Sequence, residues 1–138
     1  MKISLLYRIA SALLILFAVG HTLGFRRVDP NWGIDSIIAT LRSTHFNVQG
    51  LNRCYWDFYT GFGLFVTVLL LFVAVLAWQL GGLPKDSLST MPAVTWGLAA
   101  CFVLVTILSW RYFFILPVVF SSVITVCLIL AAWAAERP

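Results

Sequence analysis

Residues 55–80 read YWDFYTGFGLFVTVLLLFVAVLAWQL, and no charged side chain interrupts them after Asp57. A helix of about 20 such residues is what crosses the hydrocarbon of a bilayer. Three further stretches have the same character: Ile3 to Phe25, with Arg8 near its start, Met91 to Trp110, and Tyr112 to Ala135. The fold class expected is therefore all-α: one integral membrane domain over residues 1–138, a bundle of four transmembrane helices at about 3–25, 55–80, 91–110 and 112–135.

Composition supports the same reading. Of 138 residues, 62% are hydrophobic and 10% charged, and the mean hydropathy is +0.99. A soluble domain carries about a quarter charged residues, and one this small has too little interior to hide so much apolar side chain. Soluble enzymes, nucleic-acid modules and disordered tails are excluded. The net charge of +4 suits anionic lipid headgroups and calls for no nucleic acid. Cys54, Cys101 and Cys127 show no C-x-x-C or thiol-ligand spacing, and Cys101 and Cys127, inside apolar runs, read as small hydrophobes.

The first stretch could pass for a signal peptide, but Ala18-Val19-Gly20 is a poor cleavage site, and it is read as a retained span. The tryptophans were not used to draw the spans, yet they split evenly. Trp32, Trp56 and Trp110 fall at one boundary, and Trp78, Trp96 and Trp133 towards the side of the termini, as an aromatic belt requires. Gly81-Gly82 and Pro84 end the second span, and Ser89-Thr90 before Pro92 reads as a helix start. Only Arg111 separates the last two spans, which implies a tight hairpin or one turn of continuing helix, and Pro117 is expected to kink the fourth. Positive residues nearly balance: Arg26, Arg27, Arg42, Arg53 and Arg111 on one side, Lys2, Arg8, Lys85, Arg137 and the amino terminus on the other. Basic residues ahead of a first span favour cytoplasmic termini.

The one long loop holds Ile34, Ile37, Ile38 and Leu41 at the i, i+3, i+4, i+7 spacing of a helix face. An interfacial amphipathic helix over about 34–46 is expected, its isoleucines inward. His45 either continues that face or, if the helix ends by Ser43, lies in the loop.

Polar side chains gather at one end of the spans: His21, Thr22, His45, Arg53, Tyr55, Asp57, Tyr59, Thr60, Arg111 and Tyr112. Polar groups are costly in lipid, so the asymmetry marks a candidate site. Arg53 and Asp57 are four apart, which on a helix makes them neighbours and a natural ion pair. His21, His45 and Asp57 are the candidate acid–base residues, and Arg53, Tyr55, Tyr59 and Arg111 the candidate ligand-binding ones. Stapling of helix ends by Arg53 and Asp57, and helix packing by His21, are the structural alternatives. Two histidines and an aspartate are also the ligand types of a non-haem iron site, and two histidines could hold haem. No H-x-x-x-H spacing supports either, and no cofactor is expected. Gly61, Gly63 and Gly97 suit close helix approach, and Ser121, Ser122 and Thr125 can bond carbonyls or neighbouring helices.

His21-Thr22-Leu23-Gly24-Phe25, His45-Phe46 and Tyr55-Trp56-Asp57-Phe58-Tyr59-Thr60-Gly61-Phe62-Gly63, in that order, resemble a group of uncharacterised bacterial four-helix integral membrane proteins with H-T-x-G-F, H-F and Y-W-D-F-Y-x-G-F-G motifs. The resemblance covers about residues 1 to 80 and brings no activity with it. It implies that His21, His45 and Asp57 belong to a shared motif, and it points to a bacterial inner membrane. Two function classes follow. One binds a hydrophobic small molecule or membrane lipid at the polar end, with acid–base chemistry by a His–Asp pair. The other is an accessory or scaffold subunit docking partner helices or a second copy. A transporter is disfavoured, since no inverted repeat is visible.

Overall fold

A computed structural model describes residues 3–137, so Lys2, counted above, lies outside the described residues, as do Met1 and Pro138. The order of elements is α1 (Ile3–Gly24), α2 (Asp35–Ser43), β1 (His45–Val48), β2 (Leu51–Cys54), α3 (Tyr55–Leu80), α4 (Lys85–Ser89), α5 (Pro92–Tyr112) and α6 (Ile115–Glu136). Four of these, α1, α3, α5 and α6, are long and apolar enough to cross a membrane. They make the chain an all-α membrane protein whose helices end within two residues of the expected limits, except that the last starts three residues later. Two compact units divide the chain: Met1–Phe17 with Leu70–Pro138, and Ala18–Leu69.

The first unit holds nearly all of the buried side chains. Lipid supplies little driving force for helix association, so small residues that let backbones approach, and hydrogen bonds between helices, take its place. Ala10, Ala74, Ala77, Ala99, Ala131, Ala132 and Ala135 are buried, together with Leu14, Ile124 and Leu128. Ser11 Oγ donates to the Ala74 carbonyl at 2.8 Å, tying the start of α1 to the end of α3. A Cβ added at Gly81 would lie 3.2 Å from the Ser4 carbonyl oxygen and from Tyr7 Cβ, so glycine permits that close crossing. Thr106 and Thr125 share a hydrogen bond of 3.0 Å between α5 and α6, and Trp96 Nε1 donates to Glu136 Oε1 at 2.8 Å.

The junction of α5 and α6 is a tight turn. Phe113 and Phe114 are extended, and the Phe113 N–H donates to the Ser109 carbonyl at 2.9 Å. The kink expected at Pro117 has no broken hydrogen bond of α6 to cause it. Pro117 is the third residue of the helix, where a missing N–H leaves no hydrogen bond unmade. Ser121 Oγ donates to the Pro117 carbonyl at 2.7 Å. Pro92 opens α5 as expected, but Met91 precedes it without a side-chain cap. Thr90 instead turns its hydroxyl back to the Ser87 carbonyl of α4.

The second unit is built differently, from the end of α1, the loop and the beginning of α3. Asp29 Oδ1 accepts from the backbone N–H of Asn31 at 2.9 Å and starts a single 3-10 turn at Pro30. Gly33 ends that turn at φ 63, a backbone region open to glycine. The amphipathic helix is present as α2, but it stops at Ser43. His45 neither continues it nor sits in a loop. It opens β1, which pairs antiparallel with β2 in the register His45↔Cys54, Phe46↔Arg53, Asn47↔Asn52, Val48↔Leu51. Gln49 (φ 52) and Gly50 (φ 86) make the two-residue turn, since positive φ at both positions suits the twist of a tight hairpin. Asn47 Oδ1 holds the turn by accepting from the Gly50 N–H at 2.8 Å.

Candidate functional site: an aromatic cleft and a charged notch

The hairpin delivers the chain into α3 with Tyr55, Phe58, Tyr59 and Phe62 on one face, the i, i+3, i+4, i+7 spacing of an amphipathic helix. Opposite them stand Ile34, the residue before α2, and Ile38 and Leu41 on α2. Between lies an open cleft of about 710 Å³, completed by Phe25, Arg27, Val28, Trp32, Phe46 and Trp56. Arg27 is the one charged residue in this lining. Ile37 is not part of it. It is 58% exposed, so the isoleucines do not all turn inward: a helix this short gives the cleft only Ile38 and Leu41, with Ile34 just ahead of it.

The rings hold one another. Phe46 lies 5.0 Å from Tyr55 and is stacked at 6.1 Å on Phe58. Trp56 meets Tyr59 at 5.2 Å, and the Arg42 guanidinium sits 4.2 Å from the Trp56 ring centre, a cation–π contact that anchors α2 to α3. Tyr59 Oη donates to the Phe25 carbonyl at 2.6 Å, which caps the end of α1. Phe25 in turn covers Gly63, where any Cβ would run into its ring.

His21 lies behind this wall. Its ring stacks on Phe25 at 5.1 Å, and Nε2 is 3.0 Å from the Gly63 carbonyl oxygen. A carbonyl only accepts, so Nε2 carries the proton and donates. One helical turn further along α3, Thr22 and Thr67 share a hydrogen bond of 2.8 Å. His21 is a helix-packing residue here and lines neither concavity described.

Arg53 and Asp57 line a second, smaller concavity of about 220 Å³ with Phe58, Gly61, Phe62 and Phe65. Their expected ion pair is not made. Arg53 Nη1 donates to the Asn52 carbonyl at 3.0 Å, and Asp57 Oδ2 accepts from the Cys54 N–H at 3.0 Å. The spacing misled because α3 begins at Tyr55: Arg53 is on a strand, so the i, i+4 rule of helices does not apply to it. Asp57 is the third residue of the helix and reaches back to the residue before it, one half of a capping box. Its charge also complements the positive end of the helix dipole. His45 stands across the ribbon from Cys54, and its Nδ1–H donates to the Ser43 carbonyl at 2.9 Å. His45, Arg53 and Asp57 thus all belong to the hairpin–helix junction, though only Arg53 and Asp57 share a concavity, and His21 does not join them.

Tyr55 and Tyr59 line the larger cleft, and Arg111 belongs to the other unit, where it lies 5.5 Å from the Tyr112 ring centre. Among the described residues no group of three or more His, Cys, Asp or Glu is placed to hold a metal ion. Sequence reasoning gave no binding role to Phe25, Phe46, Trp56 or Phe58. The signal for one of them, Phe58, was present in the aromatic stripe of Tyr55, Phe58, Tyr59 and Phe62, which repeats at helical spacing. No family model, curated protein or solved structure matches the chain.

Proposed function

We propose that the chain binds a lipid-soluble small molecule in the aromatic cleft at the edge of the bilayer, and does so in a bacterial inner membrane with its termini in the cytoplasm. One observation carries the reading: a concavity of about 710 Å³ whose walls are aromatic and aliphatic, with Arg27 alone charged. Small-molecule sites are of this size and character, apolar with a few placed polar groups. A site at the membrane edge is supported by α3, whose first turns line the cleft and whose remainder has the apolarity of a span. The resemblance to small bacterial four-helix membrane proteins supports the choice of membrane.

Binding has more support than acid–base chemistry. His21 spends its proton on the Gly63 carbonyl, and Asp57 spends an oxygen on a backbone N–H. The accessory-subunit reading has one observation in its favour: a Cβ at Gly61 or Gly97 meets nothing within 4 Å, so both leave a helix surface open.

Photolabelling with a benzophenone-bearing fatty acid tests the proposal in the full chain. Adducts are expected to concentrate in residues 34–41 and 55–62. Labelling spread evenly over the apolar faces of α5 and α6 would contradict it. Cysteines introduced at Ser36 and Ser87, in a background lacking the native thiols, should label from opposite sides of the membrane.

A further inference from the structure

The notch of Arg53 and Asp57 is distinct from the aromatic cleft and shares only Phe58 and Phe62 with it. We infer that this notch seats the headgroup of an aminophospholipid, its phosphate on Arg53 and its primary ammonium on Asp57, with an acyl chain running down past Gly61 and Phe65. The inference does not depend on what fills the cleft.

Both charges are exposed and line one small concavity, yet neither is bonded to the other. Arg53 uses one nitrogen on Asn52 and Asp57 one oxygen on Cys54. The remaining guanidinium N–H groups, and the carboxylate lone pairs that Cys54 does not take, can serve a ligand that carries both signs. The lower wall is apolar. Gly61, Phe62 and Phe65 follow Asp57 by four to eight residues, about 6–12 Å along a helix axis, which is where headgroup gives way to hydrocarbon. A side chain at Gly61 would meet no protein atom within 4 Å, so its absence leaves a channel an acyl chain can follow. At about 220 Å³ the notch is smaller than the roughly 300 Å³ at which whole-ligand sites begin, a size for a headgroup rather than a complete molecule.

The same geometry discriminates among lipids. A phosphatidylglycerol head offers Arg53 a phosphate but gives Asp57 no cation, and its negative charge meets the carboxylate. A phosphatidylcholine head carries a cation whose methyl groups leave no N–H to donate. Phosphatidylethanolamine satisfies both residues.

The test is native mass spectrometry of the full chain in detergent with phosphatidylethanolamine, phosphatidylcholine or phosphatidylglycerol of identical acyl chains at equal concentration. Retention of the ethanolamine lipid should exceed the other two by roughly two- to fivefold, the scale of an exposed ion pair. Asp57→Asn keeps an acceptor for the Cys54 N–H and should bring the ethanolamine-to-choline ratio to about one. Arg53→Gln should lower retention of all three, and so should Gly61→Leu, which fills the channel and favours the helix. Equal retention of the three lipids by the unaltered chain would overturn the inference, as would a preference for the glycerol lipid. A discrimination that survives Asp57→Asn would also overturn it. The unaltered chain alone suffices for the first two outcomes, so a variant that fails to fold does not rescue the idea.

Discussion

The two units of this chain bury their residues in opposite ways. In the unit of Met1–Phe17 and Leu70–Pro138, alanines, serines and leucines are packed away along the helices, whereas in Ala18–Leu69 only Ala18 and Cys54 are buried among the described residues. The second unit is instead pinned by single polar contacts: His21 to Gly63, Thr22 to Thr67, Tyr59 to Phe25, Cys54 to Asp57. Its large side chains are rings that touch each other and leave space between. A unit held by close packing has no room for a guest, and one held by a few directed bonds between rings does. That division of labour explains why the cleft and the charged notch both lie in the second unit.

Substitutions should separate the two modes. The largest loss is expected for Leu128→Ala in the packed unit, where the side chain has no exposure. Lipid rather than water surrounds the helices, so the cavity left behind dominates, and about 2 kcal/mol, the low end for buried leucines, is expected. Thermal unfolding in detergent measures it. Gly63→Ala comes next, at about 1–2 kcal/mol, the lower part of the overpacking range, from forced repacking of Phe25. It should also reduce photolabelling of the cleft, which Leu128→Ala should leave unchanged.

How far these features could be read from sequence differs between the units as well. Spans announce themselves by length and apolarity alone, so α1, α3, α5 and α6 were legible. The hairpin was not. Asn47-Val48-Gln49-Gly50 lacks the Asn-Gly pair that advertises a tight turn, and the isoleucine spacing of α2 drew the helix on through His45. That one error misplaced Arg53, because a residue on β2 cannot be a helix neighbour of Asp57. Gathering of polar residues at one end was legible. Which of them meet was not, since it depends on a strand register that residue spacing does not encode.

Smaller effects sharpen the comparison. His21→Ala removes one hydrogen bond and one ring stack and should cost about 1 kcal/mol, while leaving the cleft lining intact. A collapse of photolabelling in that variant would mean that His21 reaches the ligand. Smallest in stability is the pair on α2: Ile37→Ala should change it by less than about 0.5 kcal/mol, and Ile38→Asp little more. Only Ile38→Asp should suppress photolabelling, since Ile38 lines the cleft and Ile37 does not. Equal behaviour of the two would remove α2 from the site.

Native mass spectrometry of the chain after gentle extraction from its membrane tests the central claim most directly. The account predicts a retained hydrophobic small molecule that is lost from Ile38→Asp and kept by Leu128→Ala. A chain that emerges with an empty cleft, or bound only to another protein, would contradict it.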